Sequence, residues 1–462
     1  MAEPSGYSYY KDIDVQDANI DGNLTNVCTL IQIVDDSDIG GNVVDDTNGH
    51  DIRFYDVTTD AILYYDRVYF DVTAGDCNAT FYVKCPALYA SVSDDQNNIR
   101  IYYGKAADSD GEDKANTWSD YVGVWHMADA SGTVTDATGN HDSSSESISD
   151  YQAAGRVRYA MEFDGTNDGV LVSDTAALDQ DTFSLQTWLA WDTWGVPEYS
   201  FHRFSSNEGA GGTTEGFTCL AAGSDPNEYL DFNVYEDGSV GDARTDGFTD
   251  ADTWYLFHGT VDAAGVVLGY ADSVVDSNDH DFGGGLTVTS SAVLGIGCQG
   301  DGLGNNAFNG HMEEVRYRTS ALSANHIKFE YNNMDSSVNA DYELTWGAET
   351  GVGATYTIEC TTGTYAVTGK TLNAYFNRKA ICTTGTYAIT GANLNPLYNR
   401  KISCTTGSYL VTGAQLEPVY NENVTITPAV FSLVMTFPVG VVGLGTANYG
   451  DQVHMFMSMS MN

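Results

Sequence analysis

The chain has 462 residues, with 64 acidic against 19 basic side chains and a formal net charge of −45. That balance excludes a phosphate polymer as a natural partner, which needs a basic footprint, and equally excludes an anionic membrane surface. With 48 glycines, 30 tyrosines and 8 prolines in a chain that is 42% hydrophobic, the composition predicts about three domains of short strands joined by glycine turns.

Two readings of the acidity stay open. It keeps the chain soluble in a salty or calcium-rich medium, where screening removes self-repulsion. Or some carboxylates hold Ca²⁺. Residues 1–7 have neither a basic n-region nor an apolar h-region, so no signal peptide is expected. That fits a particle protein assembled in the cytosol and released by lysis, though a chain trimmed of its leader reads the same. None of the eight cysteines forms C-x-x-C or sits beside paired histidines, so no zinc pattern is present. Cys77 and Cys85 can bridge if oxidised or remain buried thiols.

Residues 1–122 read as a first β-sandwich. Candidate strands are 29–34, 52–56, 67–72, 80–84 and 99–104, separated by Asp/Asn/Gly clusters with turn chemistry. The order Asp51-Ile52-Arg53-Phe54, Val83 to Leu88 (V-K-C-P-A-L), Ile101-Tyr102-Tyr103-Gly104 and Val124-Trp125-His126-Met127 resembles an uncharacterised β-domain over residues 7–128. That domain often precedes laminin-G-like domains and carries no known chemistry. His126 is expected to be a structural hydrogen-bonding residue.

Residues 123–335 read as the second domain. A polar crossing at 129–150 holds Asp136-Ala137-Thr138-Gly139-Asn140-His141. Strand-like segments follow at 161–172, 183–191, 229–235, 253–261, 266–270, 292–297 and 308–317. One helix is expected from Ser323 as N-cap to Met334, packed through Ile327, Phe329 and Tyr331. Phe163-Asp164-Gly165 near the start and Gly310-His311-Met312-Glu313-Glu314-Val315-Arg316 near the end resemble the laminin-G-like, concanavalin A-like family. Gly169 stands where that family usually has an aromatic, and Met312-Glu313 stands for Ile-Asp. The resemblance implies a jelly-roll sandwich that acts mainly as a binding module, often for carbohydrate.

Residues 336–423 hold three 22-residue repeats. Cys360-Thr361-Thr362-Gly363-Thr364-Tyr365-Ala366-Val367-Thr368-Gly369 recurs at 382–391 and 404–413. Each unit is expected to be a small hairpin-like element that must stack on its neighbours. In-register stacking would align Cys360, Cys382 and Cys404. These repeats resemble those of phage and prophage structural proteins. Residues 424–462 are apolar and nearly uncharged. Pro428, Pro438 and β-branched residues argue against a membrane-spanning helix. Alternation at Phe431, Leu433, Met435 and Phe437, and again at Met455, Met457, Met459 and Met461, predicts strands buried in a subunit interface.

No H-E-x-x-H, G-x-S-x-G or P-loop pattern is present. Gly295-Ile296-Gly297-Cys298-Gln299-Gly300 matches G-x-G-x-x-G, but further glycines follow it and no helical period does, so it reads as a β-turn cluster. Glu313 and Glu314 are adjacent and, by strand parity, point to opposite faces, which argues against a paired-carboxylate glycosidase site. Sugar binding needs an aromatic platform beside planar polar groups, and the loop-like stretch with Trp194, Tyr199 and His202 offers both. A Ca²⁺ site would use Asp301, Asn305 and Asn306.

The expected fold is all-β: tandem β-sandwiches, the second a concanavalin A-like jelly roll, then short β-repeats and a C-terminal β-strand region. The expected function is non-enzymatic: a virion structural protein, such as a tail fibre, tail tip or capsid decoration, that displays a lectin-like domain. Its expected partners are other copies or other virion proteins through residues 338–462 and a cell-surface glycan, with no nucleic acid and no membrane insertion. A bacterial or archaeal surface adhesin or filament subunit is the alternative, and a polysaccharide-binding accessory of a glycan-degrading enzyme is the third reading.

Overall fold

A computed structural model describes residues 4–16, 20–90, 97–106, 108–192, 198–205, 215–224, 227–236, 239–245, 250–275, 280–300, 302–335, 344–352, 356–360, 363–373, 378–395, 400–413 and 422–426. Two compact units divide the chain, one holding Lys11–Ala348 and the other Glu349–Asn462.

The first unit contains two β-sandwiches. In the N-terminal one, a sheet runs Leu344–Trp346, Tyr9–Val15, Asn98–Tyr103, Arg53–Asp56 and Ala61–Leu63 in spatial order. It faces a three-stranded sheet of Leu24–Asp36, Asp76–Leu88 and Tyr65–Thr73. Phe54, Tyr65 and Phe81 meet edge to face at 5.2 to 5.8 Å and join the two layers. Cys77 and Cys85 are buried thiols, as are Cys28, Cys219 and Cys298.

Two short helices were not legible in the sequence. Ser37–Asn42 is capped by the Asp36 carboxylate, and Lys114–Thr117 by Asp113. With six and four residues, neither is long enough to show a helical period. The expected helix is present as Ala324–Met334, with the Ser323 hydroxyl accepting from the His326 N–H. It buries Ile327 and Phe329.

The second sandwich packs a nine-stranded sheet on a seven-stranded one. The larger runs Asp150–Ala154, Tyr159–Asp164, Asn309–Arg318, Phe183–Trp191, Tyr255–Val261, Val266–Ala271, Val274–Val275. Tyr121–Trp125 also pairs with Asn309–Arg318. The smaller sheet runs Ser239–Thr245, Asn227–Glu236, Glu215–Ser224, Glu198–Ser205, Leu294–Ile296, Gly169–Val172, Ser145–Ser147. Every residue of Phe183–Trp191 is buried, because one face lines the core and the other lies under the helix Ala324–Met334 and the N-terminal sandwich.

The segment read as one strand at 161–172 is two. Tyr159–Asp164 lies in the larger sheet and Gly169–Val172 in the smaller. Asp164 makes the corner, accepting backbone N–H bonds from Thr166 and Asn167. Gly169 has φ +159°, and a Cβ there would lie 2.4 Å from the Cys298 Sγ. That close approach explains why this chain lacks the usual aromatic at the position.

In the second unit the repeats form parallel, in-register strands: Tyr356–Cys360, Gly363–Asn373, Arg378–Asn395, Arg400–Gly413 and Glu422–Ile426. Residue i pairs with i+22, so Tyr365, Tyr387 and Tyr409 share one register position, as do Cys360, Cys382 and Cys404. The repeat is therefore one turn of a parallel coil, not a hairpin. Chain reach requires this. The 18-residue strand Arg378–Asn395 would extend about 60 Å if straight. The four residues before Arg400 can span only about 14 Å, so the strand must wind round to start the next turn. Phe431 to Phe437 and the alternating methionines lie outside the described residues.

Candidate functional site

The second sandwich has two outer faces, and strand alternation decides what each carries. In the seven-stranded sheet Val170, Phe201, Phe217, Leu230, Phe232, Val234, Ala243 and Ile296 belong to the core. Their neighbours along each strand face away from it. Leu171, Gly295, His202, Thr218, Asn233 and Asp242 fall side by side in one register row. Six strands at the usual spacing make that row roughly 24 Å wide. A second row sets Tyr199, Leu220, Asp231 and Arg244 together, and a third sets Gly216 beside Tyr235 and Val240.

This face is polar and aromatic. His202, Thr218 and Asn233 form its buried floor. Asp242 is exposed, and Tyr199, Tyr229, Asp231, Tyr235 and Arg244 are half-buried. The Arg244 guanidinium lies 3.5 Å above the centre of the Tyr229 ring. Tyr199 meets the His202 ring edge-on at 4.8 Å. Planar donors and acceptors beside aromatic rings are what hydrogen-bonding to hydroxyl-rich ligands requires.

The loop between Ile296 and Phe308 forms one rim. Gly300 donates its N–H to the His202 Nδ1 at 3.1 Å. The Gln299 N–H donates to the Asn305 carbonyl, and the Tyr199 N–H to the Asn306 carbonyl. Asn306 donates its side-chain amide to the Gln299 Oε1 at 2.8 Å. A Cβ at Gly295 would lie 2.3 Å from the Cys298 carbonyl oxygen, so glycine lets this loop lie flat on the strand. Among the described residues the next element after it is the strand Asn309–Arg318, as the β-turn reading of the glycine cluster requires.

The residues singled out in the sequence thus converge in part. Tyr199 and His202 lie on the strand Glu198–Ser205 rather than in a loop, and the rim holding Asn305 and Asn306 is bonded to that strand. Trp194 and Asp301 lie outside the described residues. Among the described residues no group of three or more His, Cys, Asp or Glu side chains is placed to hold a metal. Thr218, Asp231, Asn233, Tyr235, Asp242 and Arg244 were missed. The available signal was the polar or aromatic residue at every second position of Tyr229 to Tyr235.

The opposite outer face, on the nine-stranded sheet, carries a buried ion cluster. Thr187 falls opposite a register shift between Gln186 and Trp188, and Glu314 has φ +52°. That bulge gives the strand an extra residue, so Glu313 and Glu314 share the outer side, contrary to the parity expectation. Met312, Val315 and Tyr317 keep the inner side. Both carboxylates are committed. Glu313 accepts backbone N–H bonds from Arg156, Val157 and Arg158. Glu314 meets the His126 Nδ1 at 3.0 Å and the Arg316 guanidinium at 2.7 Å. The His126 Nε2 meets Asp66 at 2.9 Å, and its ring stacks on Tyr82 at 5.5 Å. Asp66 also accepts from the Trp118 indole at 2.7 Å.

Side-chain exposure is 0% for Asp66, 2% for Glu314 and 1% for Arg316, so the cluster is closed to a substrate. Burial opposes charge on His126, but Glu314 and Asp66 outweigh it and hold the imidazole up at about 9. Burial, then the Glu314 charge, pushes Glu313 up to about 8 against its three N–H donors. Burial would raise Asp66, but His126, Lys114 and Trp118 hold it well below the usual carboxylate range. His126 is therefore the structural residue it was read to be.

Comparison with known proteins follows this division. Residues 164–328 match the concanavalin A-like lectin/glucanases superfamily. Residues 48–145 match a domain of unknown function, DUF2341. No curated protein matches. Among solved structures, domain 4 of AbnA, an extracellular GH43 arabinanase from Geobacillus stearothermophilus, in complex with arabinotriose, is 18% identical, over 45% of this chain and 97% of that one, with a TM-score of 0.34. The binding domain of Paraclostridial Mosquitocidal Protein 1 is 12% identical, over 48% of this chain and 53% of that one, with a TM-score of 0.36. The receptor-binding domain of botulinum neurotoxin mosaic serotype C/D is 9% identical, over 46% and 50%, with a TM-score of 0.36. The chain spans about half the length of those two toxin domains. It carries a concanavalin A-like, lectin-type domain beside a domain of unknown function.

Proposed function

We propose that this is a non-enzymatic structural and recognition protein whose lectin-type sandwich binds a cell-surface glycan on the outer face of its seven-stranded sheet. The observation that carries the reading is the row His202–Thr218–Asn233–Asp242, flanked by Tyr199, Tyr235 and the Arg244–Tyr229 pair. The net charge of −45 favours an uncharged glycan over an acidic one. Residues 338–462 join copies to one another or to other proteins of a virus particle, such as a tail fibre, tail tip or capsid decoration. The in-register coil supports this part, since a stack of parallel turns must be covered at its ends. A cell-surface filament would use the same parts.

Two measurements test the proposal. The first is the solution mass of the full chain beside a version ending at Ala348, which keeps the strand Leu344–Trp346. Assembly is expected only for the full chain; two monomers would overturn the assembly role. The second is a glycan array with the full chain, with and without Ca²⁺, beside Tyr235→Ala. Binding that Tyr235→Ala abolishes is expected. Binding unchanged in that variant would move the site elsewhere, and loss on Ca²⁺ removal would point to the 301–306 rim.

A further inference from the structure

The contact between the two sandwiches of the first unit is built like a protein interior. Cys28, Leu30 and Tyr82 from the three-stranded sheet form one buried cluster with Trp118, Tyr121, Trp188, Leu256 and Met334. Asn333, on the last helix, accepts the Leu30 N–H at 2.7 Å and donates to the Leu30 carbonyl at 3.1 Å. Asp66 on one side and Glu314 with Arg316 on the other meet across His126, all out of water. The strand Tyr121–Trp125, inside the stretch matching the domain of unknown function, pairs with residues 315–318 of the lectin-type sheet. Ordinary contacts between domains are more polar and allow relative motion.

We infer that the domain of unknown function is a dedicated cap for the outer face of a concanavalin-type sheet, so that the two sandwiches fold and unfold as one. Three arguments join here. Separation would uncover a contiguous patch with Trp188, Leu256 and Tyr82 on its two halves, of the kind soluble proteins avoid. The strand Tyr121–Trp125, which the matched domain shares with the lectin-type sheet, ties the two together, since Val122 and Trp125 sit in the lectin-type core. And the ion cluster makes the pairing selective. A sheet without Glu314 would leave His126 with only Asp66 as a partner, and one broken buried pair is enough to reject it. The cap and the helix Ala324–Met334 together cover the outer face of the nine-stranded sheet, whereas on the seven-stranded sheet Asp231, Tyr235, Asp242 and Arg244 still reach water.

The test uses the full chain. Hydrogen exchange of single peptides is followed through increasing denaturant, comparing strands 24–36 and 76–88 of the cap with strands 183–191 and 255–261 of the lectin-type sandwich. One shared midpoint is expected for all four. Asp66→Asn should lower protection by roughly 100-fold or more in all four together. Cap strands that open at lower denaturant than the lectin-type strands would overturn the inference. So would Asp66→Asn weakening the cap alone. If Asp66→Asn does not fold, the wild-type midpoints decide by themselves.

Discussion

The lectin-type sandwich puts the same kinds of side chain on both of its outer faces, with opposite fates. On the nine-stranded sheet Glu314 and Arg316 are buried against Tyr82 of the N-terminal sandwich, with His126 11% exposed beside them. On the seven-stranded sheet Asp231, Tyr235 and Arg244 are half-buried and Asp242 is exposed, around the buried His202 and Asn233. The difference lies in how many of the charged groups reach water. A charge held in water costs little to change, whereas a charge held in a closed network depends on every partner. Residue type alone therefore does not mark a functional face; what lies above it does.

The largest expected effect breaks the closed face. Glu314→Ala leaves His126 and Arg316 buried with a missing partner and should cost about 3–5 kcal/mol. Asp242→Ala, on the open face, should stay within about 0.5 kcal/mol. Chemical denaturation of both variants measures the difference. Equal losses would mean that the ion cluster is no more than surface charge.

The closed face should also set the pH dependence of stability. His126 has an ordinary value of 6.5 and is held at about 9 when folded. Its contribution is thus complete below pH 6.5 and lost as pH rises towards 9. Glu313 moves from 4.5 to about 8, so it too favours the folded state at low pH and loses that preference between those values. Asp66 and Glu314 are held below their ordinary values, so their contribution is present above those values and lost as pH falls. The melting temperature should therefore fall from about pH 4.5 to 9, most steeply above pH 6.5 where both groups contribute, and again below pH 4. His126→Gln should flatten the alkaline limb and leave only the Glu313 share. An alkaline limb unchanged by His126→Gln would sink the assignment.

A smaller effect is expected where the two sheets meet. Gly169→Ala places a Cβ against Cys298 and should cost about 1–3 kcal/mol, the usual range for overpacking. Cys298→Gly in the same chain should recover part of it. If Gly169→Ala is neutral, the missing aromatic at this position needs another cause.

Much of the fold was legible because it is local. Phe183 to Trp191 reads as a strand from its apolar run, and Ser323 reads as a cap from its place before Ile327 and Phe329. The 22-residue period was legible as well, but its geometry was not. A hairpin and a parallel coil have the same alternation, and only the pairing of residue i with i+22 separates them. The candidate site was legible in fragments. Tyr199, His202, Asn305 and Asn306 come together, whereas Asp231 and Arg244 gain meaning only when two strands set them side by side. The pairing of His126 with Asp66, 60 residues away, and Glu314, 188 residues away, leaves no trace in any local window. The bulge that turns Glu313 and Glu314 to one face defeats strand parity outright.

A small change in stability is expected on the seven-stranded sheet, and it isolates binding from folding. Arg244 is half-buried and lies over the Tyr229 ring, a contact worth about 0.5–1 kcal/mol at an exposed site. Arg244→Leu keeps most of the aliphatic cover on that ring and removes the guanidinium donors, so stability should change by no more than about that amount. Glycan binding should fall much further, because a site built to hydrogen-bond hydroxyl groups loses the donor set that stands beside Asp231 in the same register row. Arg316→Leu, the matching change under the cap, should show the reverse: a large loss of stability, with glycan binding preserved in whatever fraction stays folded. Affinity electrophoresis on the two variants, run beside their denaturation curves, separates the faces. If Arg244→Leu destabilises the chain as much as Arg316→Leu does, this face is a second structural network and the site lies elsewhere.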